Sequence, residues 1–160
     1  FPGVGFVSAA GVYRQRQNLD RIDSRGVEFD ASARLGAFSL AASYAYADAQ
    51  VHASGTAAPL DGLRPAQTPR HQASTTLGWR WLSTTLRYVS AQYEDDQNSR
   101  DLSSAFTVDA RIAVPVTRRL TLDLRGENLS NARIEATIGA DGTIERALPR
   151  TLWVGLSYRL

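Results

Sequence analysis

Apolar and polar residues alternate with a period of two along most of this 160-residue chain. Val27, Phe29 and Leu35 share one parity, while Glu28 and Asp30 share the other. Because successive side chains of a strand point to opposite faces of its sheet, this pattern predicts strands with one apolar and one polar face. A slip of one residue would exchange the faces, so the register is well specified. The pattern therefore predicts an all-β protein.

Three strands each carry a set of charged residues that share one parity. They are Glu28, Asp30 and Arg34; Asp109 and Arg111; and Asp123, Arg125 and Glu127. Opposite charges on neighbouring strands can pair. We expect these residues to form a charged wall on one face of the sheet.

The alternating segments number about eight, each bounded by turn residues. They run roughly 5–16, 21–35, 38–51, 70–81, 83–94, 104–115, 120–128 and 151–160. The turns at 36–37, near Leu82 and at 116–119 are short, whereas the links 52–69, 95–103 and 129–150 are long and polar. Short turns on one side and long loops on the other are typical of an antiparallel outer-membrane β-barrel.

The aromatic residues lie near the strand ends. Phe38, Trp81 and Tyr158 are near the short turns, and Tyr13, Tyr46, Tyr88 and Phe106 are toward the long loops. Two such groups match the aromatic belts of a membrane barrel, although aromatic residues are also common in strands generally.

Small residues occupy many strand positions. They are Ala31, Ala33, Ala41, Ala42, Ala45, Ala47, Ala110 and Ala113. Lipid can fill the space beside small side chains, whereas the close-packed core of a soluble sandwich would be left with voids. No run approaches the roughly 20 apolar residues of a transmembrane helix, and the mean hydropathy of −0.26 is compatible with strands that have two unlike faces.

Composition and motifs exclude several classes of function. The chain has no Cys, so it has no thiol nucleophile or zinc-thiolate site, and a net charge of +2 does not suit a nucleic-acid partner. No P-loop, G-x-S-x-G or H-E-x-x-H motif is present, so we expect no catalytic residues, no metal site, no cofactor and no enzyme activity. The acidic cluster at 94–96 and Asp101 suits a solvated loop better than a calcium site.

Several motifs, in order, resemble the C-terminal part of TonB-dependent outer-membrane receptors. Residues 126–131 (GENLSN) resemble the family's N-L-x-[DN] segment, and 149–160 (PRTLWVGLSYRL) resemble its closing strand. Residues 26–28 (GVE), 43–49 (SYAYADA) and 68–71 (TPRH) resemble earlier strand motifs of the family. The resemblance covers nearly the whole chain, with Leu160 where the family usually has Phe and Pro149 where it usually has Gly.

The resemblance implies a 22-stranded barrel in the bacterial outer membrane of a Gram-negative cell, with an N-terminal plug domain inside it. It implies uptake of a scarce ligand, such as an iron–siderophore complex or cobalamin, energised by TonB through the plug. Residues 1–160 would form a single barrel segment, the last eight strands, without the plug. The expected partners are outer-membrane lipid, the protein's own plug, TonB and the barrel-assembly machinery.

The resemblance also implies roles for particular residues. The charged wall would contact the plug, although a solvated or mutually paired inner wall explains it as well. Gly155, Tyr158 and Leu160 lie where outer-membrane proteins carry a signal for the assembly machinery, although a lipid-facing strand needs the same apolar parity. Two other hypotheses remain open: a complete eight-stranded barrel with a structural or adhesive role, and a soluble β-domain that binds sugar or protein.

Overall fold

The computed structural model describes residues 5–8, 11–14 and 19–159, and the side chains of 19–159. The strands, in chain order, are β1 (Gly5–Ser8), β2 (Gly11–Arg14), β3 (Arg21–Leu35), β4 (Phe38–His52), β5 (His71–Trp79), β6 (Leu82–Val89), β7 (Gln92–Tyr93), β8 (Asp101–Leu102), β9 (Ala105–Pro115), β10 (Leu120–Glu127), β11 (Glu135–Ile138), β12 (Ile144–Arg146) and β13 (Thr151–Tyr158). A short 3-10 helix covers Gly55–Leu60. None of the helical structure in these residues is long and apolar enough to cross a membrane.

Seven strands form one antiparallel sheet in the order β13-β10-β9-β6-β5-β4-β3. Each strand pairs with the sheet strand that precedes or follows it along the chain, so the sheet is a meander. Within the described residues, β3 and β13 each have one unpaired edge, and the sheet is open. The predicted all-β, antiparallel class is confirmed.

The first predicted strand is the one that differs. In place of a single strand over 5–16, β1 and β2 pair with each other, Gly5 opposite Arg14 and Ser8 opposite Gly11. The two halves of the segment thus satisfy one another's backbone hydrogen bonds. The other seven strands lie within a few residues of their predicted bounds, except that the fourth and fifth are shorter.

Strand register sorts the side chains into two faces. One face, here called the apolar face, carries Val27, Leu40, Leu77, Leu86 and Val108; Leu40 lies opposite Leu77, and Leu86 lies opposite Val108. The opposite face, here called the charged face, carries the charged residues predicted from parity. Exposure on the apolar face is high: Leu35 is 81% exposed and Val154 is 76% exposed. An exposed apolar surface of this kind marks a contact with a membrane or with another protein surface.

Aromatic side chains form two rows across the apolar face. At the long-loop end, Phe29, Tyr44, Tyr88 and Phe106 lie at one level, with Ala73 between the two tyrosines. At the short-turn end, Leu35, Phe38, Trp79 and Leu82 lie at one level, and Trp81 stacks on Trp79. Phe29 and Leu35 are six residues apart, about 20 Å along the strand at roughly 3.3 Å per residue. Of the predicted belt residues, Phe38, Trp81, Tyr88 and Phe106 lie in these two rows; the side chain of Tyr13 lies outside the described ones.

The buried side chains among the described residues all lie toward the long-loop end. They are Ala49, Val51, Ala57, Pro69, Leu102 and Asn128. The seven-stranded sheet packs against no second large sheet, so the two-layer core of a soluble sandwich is missing from the described structure. Packing is instead concentrated in the long loops.

Candidate functional site

The charged face is built by strand register. Glu28 lies opposite Ala45, Asp30 opposite Ser43, and Arg34 opposite Ser39. On the other side of the sheet, Arg111 lies opposite Arg125 and Asp123 opposite Gly155. All eight predicted wall residues therefore share one face, as the parity indicated. They form two groups, however, because β4, β5 and β6 separate the residues of β3 from those of β9 and β10.

The group on β9 and β10 is internally paired. Arg111 Nε donates to Asp123 Oδ2 at 2.8 Å, and Nη2 of the same guanidinium donates to the same oxygen. Asp109 pairs with Arg87, and Arg125 pairs with Glu127. The predicted pairing between neighbouring strands is confirmed for Arg111 and Asp123, whereas Arg125 and Glu127 pair within one strand. The wall predicted from the sequence did not include Arg87, although Arg87 is the one charged residue of β6 and has the parity of Ser83 and Thr85.

The group on β3 is not paired. The side chains of Glu28, Asp30 and Arg34 have no ion pair or side-chain hydrogen bond with any described residue. Glu28 and Asp30 line a groove of about 330 Å³ on the charged face, together with Ser43, Ser74 and others. Ser43 and Ser74 share a hydrogen bond of 2.8 Å between their hydroxyl oxygens. This part of the charged face can accept polar groups from another partner.

Three long loops are joined into one structure, here called the loop cap: loop A (53–70), loop B (90–104) and loop C (128–150). The Arg64 backbone N–H donates to Asn98 Oδ1 at 2.9 Å, and Asn98 Nδ2 donates back to the Arg64 carbonyl at 2.8 Å. The Ser103 N–H donates to Glu135 Oε2 at 2.8 Å. Loop B thus lies between loops A and C and is bonded to both.

Glu94 makes hydrogen bonds with residues of all three loops. Gln67 Nε2 of loop A donates to Oε2 of Glu94 at 3.0 Å, and the Thr137 hydroxyl of loop C donates to Oε1. The Glu94 backbone N–H donates to the Arg100 carbonyl within loop B. In the described residues, no group of three or more His, Cys, Asp or Glu side chains could hold a metal ion. The carboxylates of Glu94, Asp95 and Asp96 each accept hydrogen bonds within the cap.

Glu94→Ala is expected to separate loops A and C from loop B, because both side-chain hydrogen bonds are lost together. Each such bond to a charged group contributes about 1.5–3 kcal/mol when buried and less here, where Glu94 is half-buried. Amide hydrogen exchange should rise in 64–68 and 135–138. Asp101→Ala is the control, since it removes a carboxylate of the same loop; equal exchange in the two variants would contradict this role of Glu94.

The Asp95 carboxylate organises the turn of loop B. Burial tends to raise the pKa of Asp95, but hydrogen bonds from Ser99 and Arg100 outweigh it and hold the pKa below its usual range. The Ser99 N–H donates to Oδ1 at 2.8 Å, and the Arg100 N–H donates to the same oxygen at 3.2 Å. In loop C, the backbone and side chain of Ser103 likewise lower the pKa of Glu135.

Acid is therefore expected to loosen the loop cap. A carboxyl whose folded pKa is depressed stabilises the fold above its unfolded pKa, roughly 4, and this contribution disappears as the pH falls through the folded value. Hydrogen exchange of 94–104, corrected for the intrinsic pH dependence, should increase below about pH 4. Asp95→Asn should show the looser turn already at neutral pH; an acid response as large as that of the unmodified protein would contradict this assignment.

Asn128 anchors the last long loop. It is 5% exposed with a φ of +48°, and its Nδ2 donates to the Ala132 carbonyl at 2.9 Å and to the Leu148 carbonyl at 3.4 Å. Its Oδ1 accepts from the Ala132 N–H at 2.9 Å. The Asn128 N–H donates to Asp109 of the charged face. This residue of the GENLSN motif thus ties both ends of loop C to the sheet.

Both histidines lie at the loop end. His71 Nδ1 lies 2.9 Å from the Tyr44 hydroxyl, and its ring is 5.1 Å from that of Tyr46. His52 Nε2 is 3.0 Å from an Asp23 oxygen, and its Nδ1 is 3.7 Å from an Asp61 oxygen. His71 therefore packs against Tyr44 and Tyr46 beside the aromatic row, and His52 joins β3 to loop A.

The predicted assembly residues lie on β13. Tyr158 is on the apolar face opposite Leu120 and is 60% exposed, whereas Gly155 is on the charged face opposite Asp123. Leu160 lies outside the described residues. The structure thus separates Gly155 and Tyr158 onto opposite faces, and their role in assembly stays a prediction.

Comparison with known proteins identifies the family of this chain. The family model "TonB dependent receptor-like, beta-barrel" matches residues 2–129. No curated protein matches the sequence directly. Similar solved structures include the siderophore receptor PiuA from Acinetobacter baumannii, with a TM-score of 0.76 and 17% identity over 86% of this chain and 22% of that one.

Two further solved structures are also similar to this chain. The ferric yersiniabactin uptake receptor FyuA from Yersinia pestis has a TM-score of 0.76 and 19% identity over 86% of this chain and 23% of its own. The ferric-catecholate import receptor Fiu from K12 E. coli has a TM-score of 0.71 and 17% identity over 96% of this chain and 23% of its own. The chain thus spans less than a quarter of each of these structures, and its open sheet fits part of their barrel. It belongs to the TonB-dependent receptor family, as a portion of the β-barrel that this family places in the bacterial outer membrane.

Proposed function

We propose that the chain forms the C-terminal part of the barrel of a receptor that takes up a scarce ligand by a TonB-energised route. The observation that carries this proposal is the family match over 2–129, together with an open sheet that fits a barrel portion. Similar structures are named as a siderophore receptor and a ferric citrate transporter, which favours iron complexes over cobalamin as the ligand. The family relatives are transport receptors, and we propose no catalysis and no cofactor.

The domain organisation follows from the same proposal. Residues 1–160 form a single segment of the barrel wall, and the plug domain is supplied by another part of the protein. The unpaired group on β3 is the part of the charged face best suited to contact the plug, because its charges have no described partner. Arg111, Asp123, Arg125 and Glu127 pair among themselves and contribute a self-satisfied wall.

The two remaining partners follow from the outer face and the last strand. The apolar face contacts outer-membrane lipid, since its residues are highly exposed and nothing described covers them. Gly155, Tyr158 and Leu160 contribute to recognition by the barrel-assembly machinery. Of these, Tyr158 is the residue whose exposed position on the apolar face best supports such a contact.

Uptake by cells lacking the full-length protein tests the proposal. Growth under iron limitation would be measured with a panel of ferric siderophores, ferric citrate and, separately, cobalamin, with and without TonB. We expect the deletion to abolish use of one iron complex, and loss of TonB to have the same effect. Full use of every ligand by the deletion strain, or ligand use that persists without TonB, would contradict the proposal.

A further inference from the structure

One arginine at the short-turn end lies beside two stacked indole rings and has no acidic partner among the described residues. The Arg80 guanidinium carbon lies 5.2 Å from the ring centroid of Trp79 and 5.7 Å from that of Trp81. The side chain of Arg80 is exposed, and among the described residues it makes no ion pair or hydrogen bond. Its charge is therefore available to an external anion.

The surrounding strand ends carry only positive charge. Their charged residues are Arg34, Arg80, Arg118, Arg119 and Arg159, and segments 34–38, 79–82, 115–120 and 158–159 contain no Asp or Glu. Arg119 and Arg159 lie directly opposite each other, since Leu120 pairs with Tyr158 and the Arg159 N–H donates to the Arg119 carbonyl. Register assigns Arg34, Arg119 and Arg159 to the charged face. Arg80 instead lies in a turn between two apolar-face residues, Trp79 and Leu82.

The backbone at Arg80 is unusual for its residue type. Its φ is +52°, in the left-handed region where Gly or Asn is favoured. Its N–H donates to the Ala37 carbonyl at 3.1 Å, which joins this turn to the neighbouring one. An arginine at such a position is not explained by turn geometry, so its side chain needs a separate reason.

The location of Arg80 at the short-turn end indicates which kind of anion it meets. The short turns of an outer-membrane barrel face the periplasm, and aromatic side chains there lie at the level of the lipid headgroups. Trp79 and Trp81 are 41% and 42% exposed, next to Phe38 at 60%. A planar guanidinium beside two stacked indoles at this depth can donate to two oxygens of one phosphate.

We propose that Arg80, flanked by Trp79 and Trp81, binds the phosphate of an anionic phospholipid headgroup in the periplasmic leaflet. The indoles contact the glycerol and upper acyl region, and the guanidinium donates to the phosphate. A zwitterionic headgroup binds less well, because its ammonium group finds no carboxylate in these segments. This site is independent of the imported ligand and of the plug.

The test measures lipid preference directly. Full-length protein in detergent is mixed with equal amounts of phosphatidylglycerol and phosphatidylethanolamine, and bound lipids are counted by native mass spectrometry. The unmodified protein is expected to bind more phosphatidylglycerol than phosphatidylethanolamine. Arg80→Asn is expected to lower the ratio of the two bound lipids about five-fold, because one basic residue near an anionic membrane surface contributes an effect of that size. Asn suits the positive φ, so this variant should assemble.

Controls separate the site from general charge effects. Arg133→Asn removes an exposed arginine of loop C and should leave the lipid preference unchanged. Arg80→Lys keeps the charge without the planar fork and should retain a reduced preference. Equal binding of the two lipids by the unmodified protein, or a preference unchanged in Arg80→Asn, would overturn the proposal. Heat-dependent gel mobility confirms that each variant is folded, and Arg80→Lys decides the question if Arg80→Asn fails to fold.

Discussion

Gly26→Ala is expected to disrupt the pairing of β3 with β4. A Cβ on residue 26 would lie 2.1 Å from the backbone carbonyl oxygen of Tyr46, closer than any real contact allows. The obstacle is backbone, so no side chain can move aside, and the strands must separate near the middle of a ladder of fifteen paired positions. Overpacking typically costs about 1–3 kcal/mol, and a backbone obstacle places this substitution at the upper end of that range. The glycine of the GVE motif is thus required by a close approach of two strands.

Gly155→Ala is the matched control, because the nearest atom to its added Cβ is Asp123 Cβ at 3.8 Å, an ordinary contact. Urea unfolding of the full-length protein in detergent should show a large loss of stability for Gly26→Ala and little change for Gly155→Ala. Heat-dependent gel mobility should report less folded barrel for the first variant alone. Equal stabilities would show that β4 moves aside at low cost. Poor assembly of a stable Gly155→Ala protein would point instead to the assembly signal.

Asn128→Ala is expected to free loop C from the sheet. The change removes the bonds of Nδ2 and Oδ1 and leaves the Ala132 N–H and the Ala132 and Leu148 carbonyls without these partners. It also places alanine at a φ of +48°. The lost hydrogen bonds contribute about 1 kcal/mol each, and alanine in the left-handed backbone conformation adds a further cost. Together they should lower the free energy of unfolding by about 3 kcal/mol. Hydrogen exchange should rise across 129–150.

Asn131→Ala isolates the backbone contribution. Asn131 has a φ of +51°, but it is exposed, and the Arg150 N–H approaches its Oδ1 only at 3.3 Å. Unfolding of the two variants by urea should therefore differ by the hydrogen bonds of the buried residue. If both variants lose the same stability, the left-handed backbone alone explains the effect, and the proposed anchor is wrong.

The features of the sheet that depend on neighbouring residues in the sequence were predictable. The bounds of β3 and β4, the short turns and the two faces follow from alternation, because each depends on neighbouring residues. The pairing of Arg111 with Asp123 needed only parity and strand order. The same local argument was wrong for 5–16, since alternation cannot tell one strand from two that fold back on each other.

The loop cap was not predictable in this way. β7, β8, β11 and β12 are strands of two to four residues, too short for a periodic signal. The bonds of Glu94 join residues 27 and 43 positions away, and no pattern within one loop indicates them. The unpaired state of Glu28 and Asp30 likewise depends on which strands lie beside them. These features arise from tertiary placement of side chains that look like ordinary loop or strand residues.

The joined loops have an immunological consequence. Loops A, B and C present one continuous external surface whose residues come from three distant parts of the sequence. An antibody raised against the folded protein would recognise a discontinuous epitope and would fail to bind peptides from any single loop. Antibodies raised against such peptides would in turn recognise the denatured chain better than the cell surface.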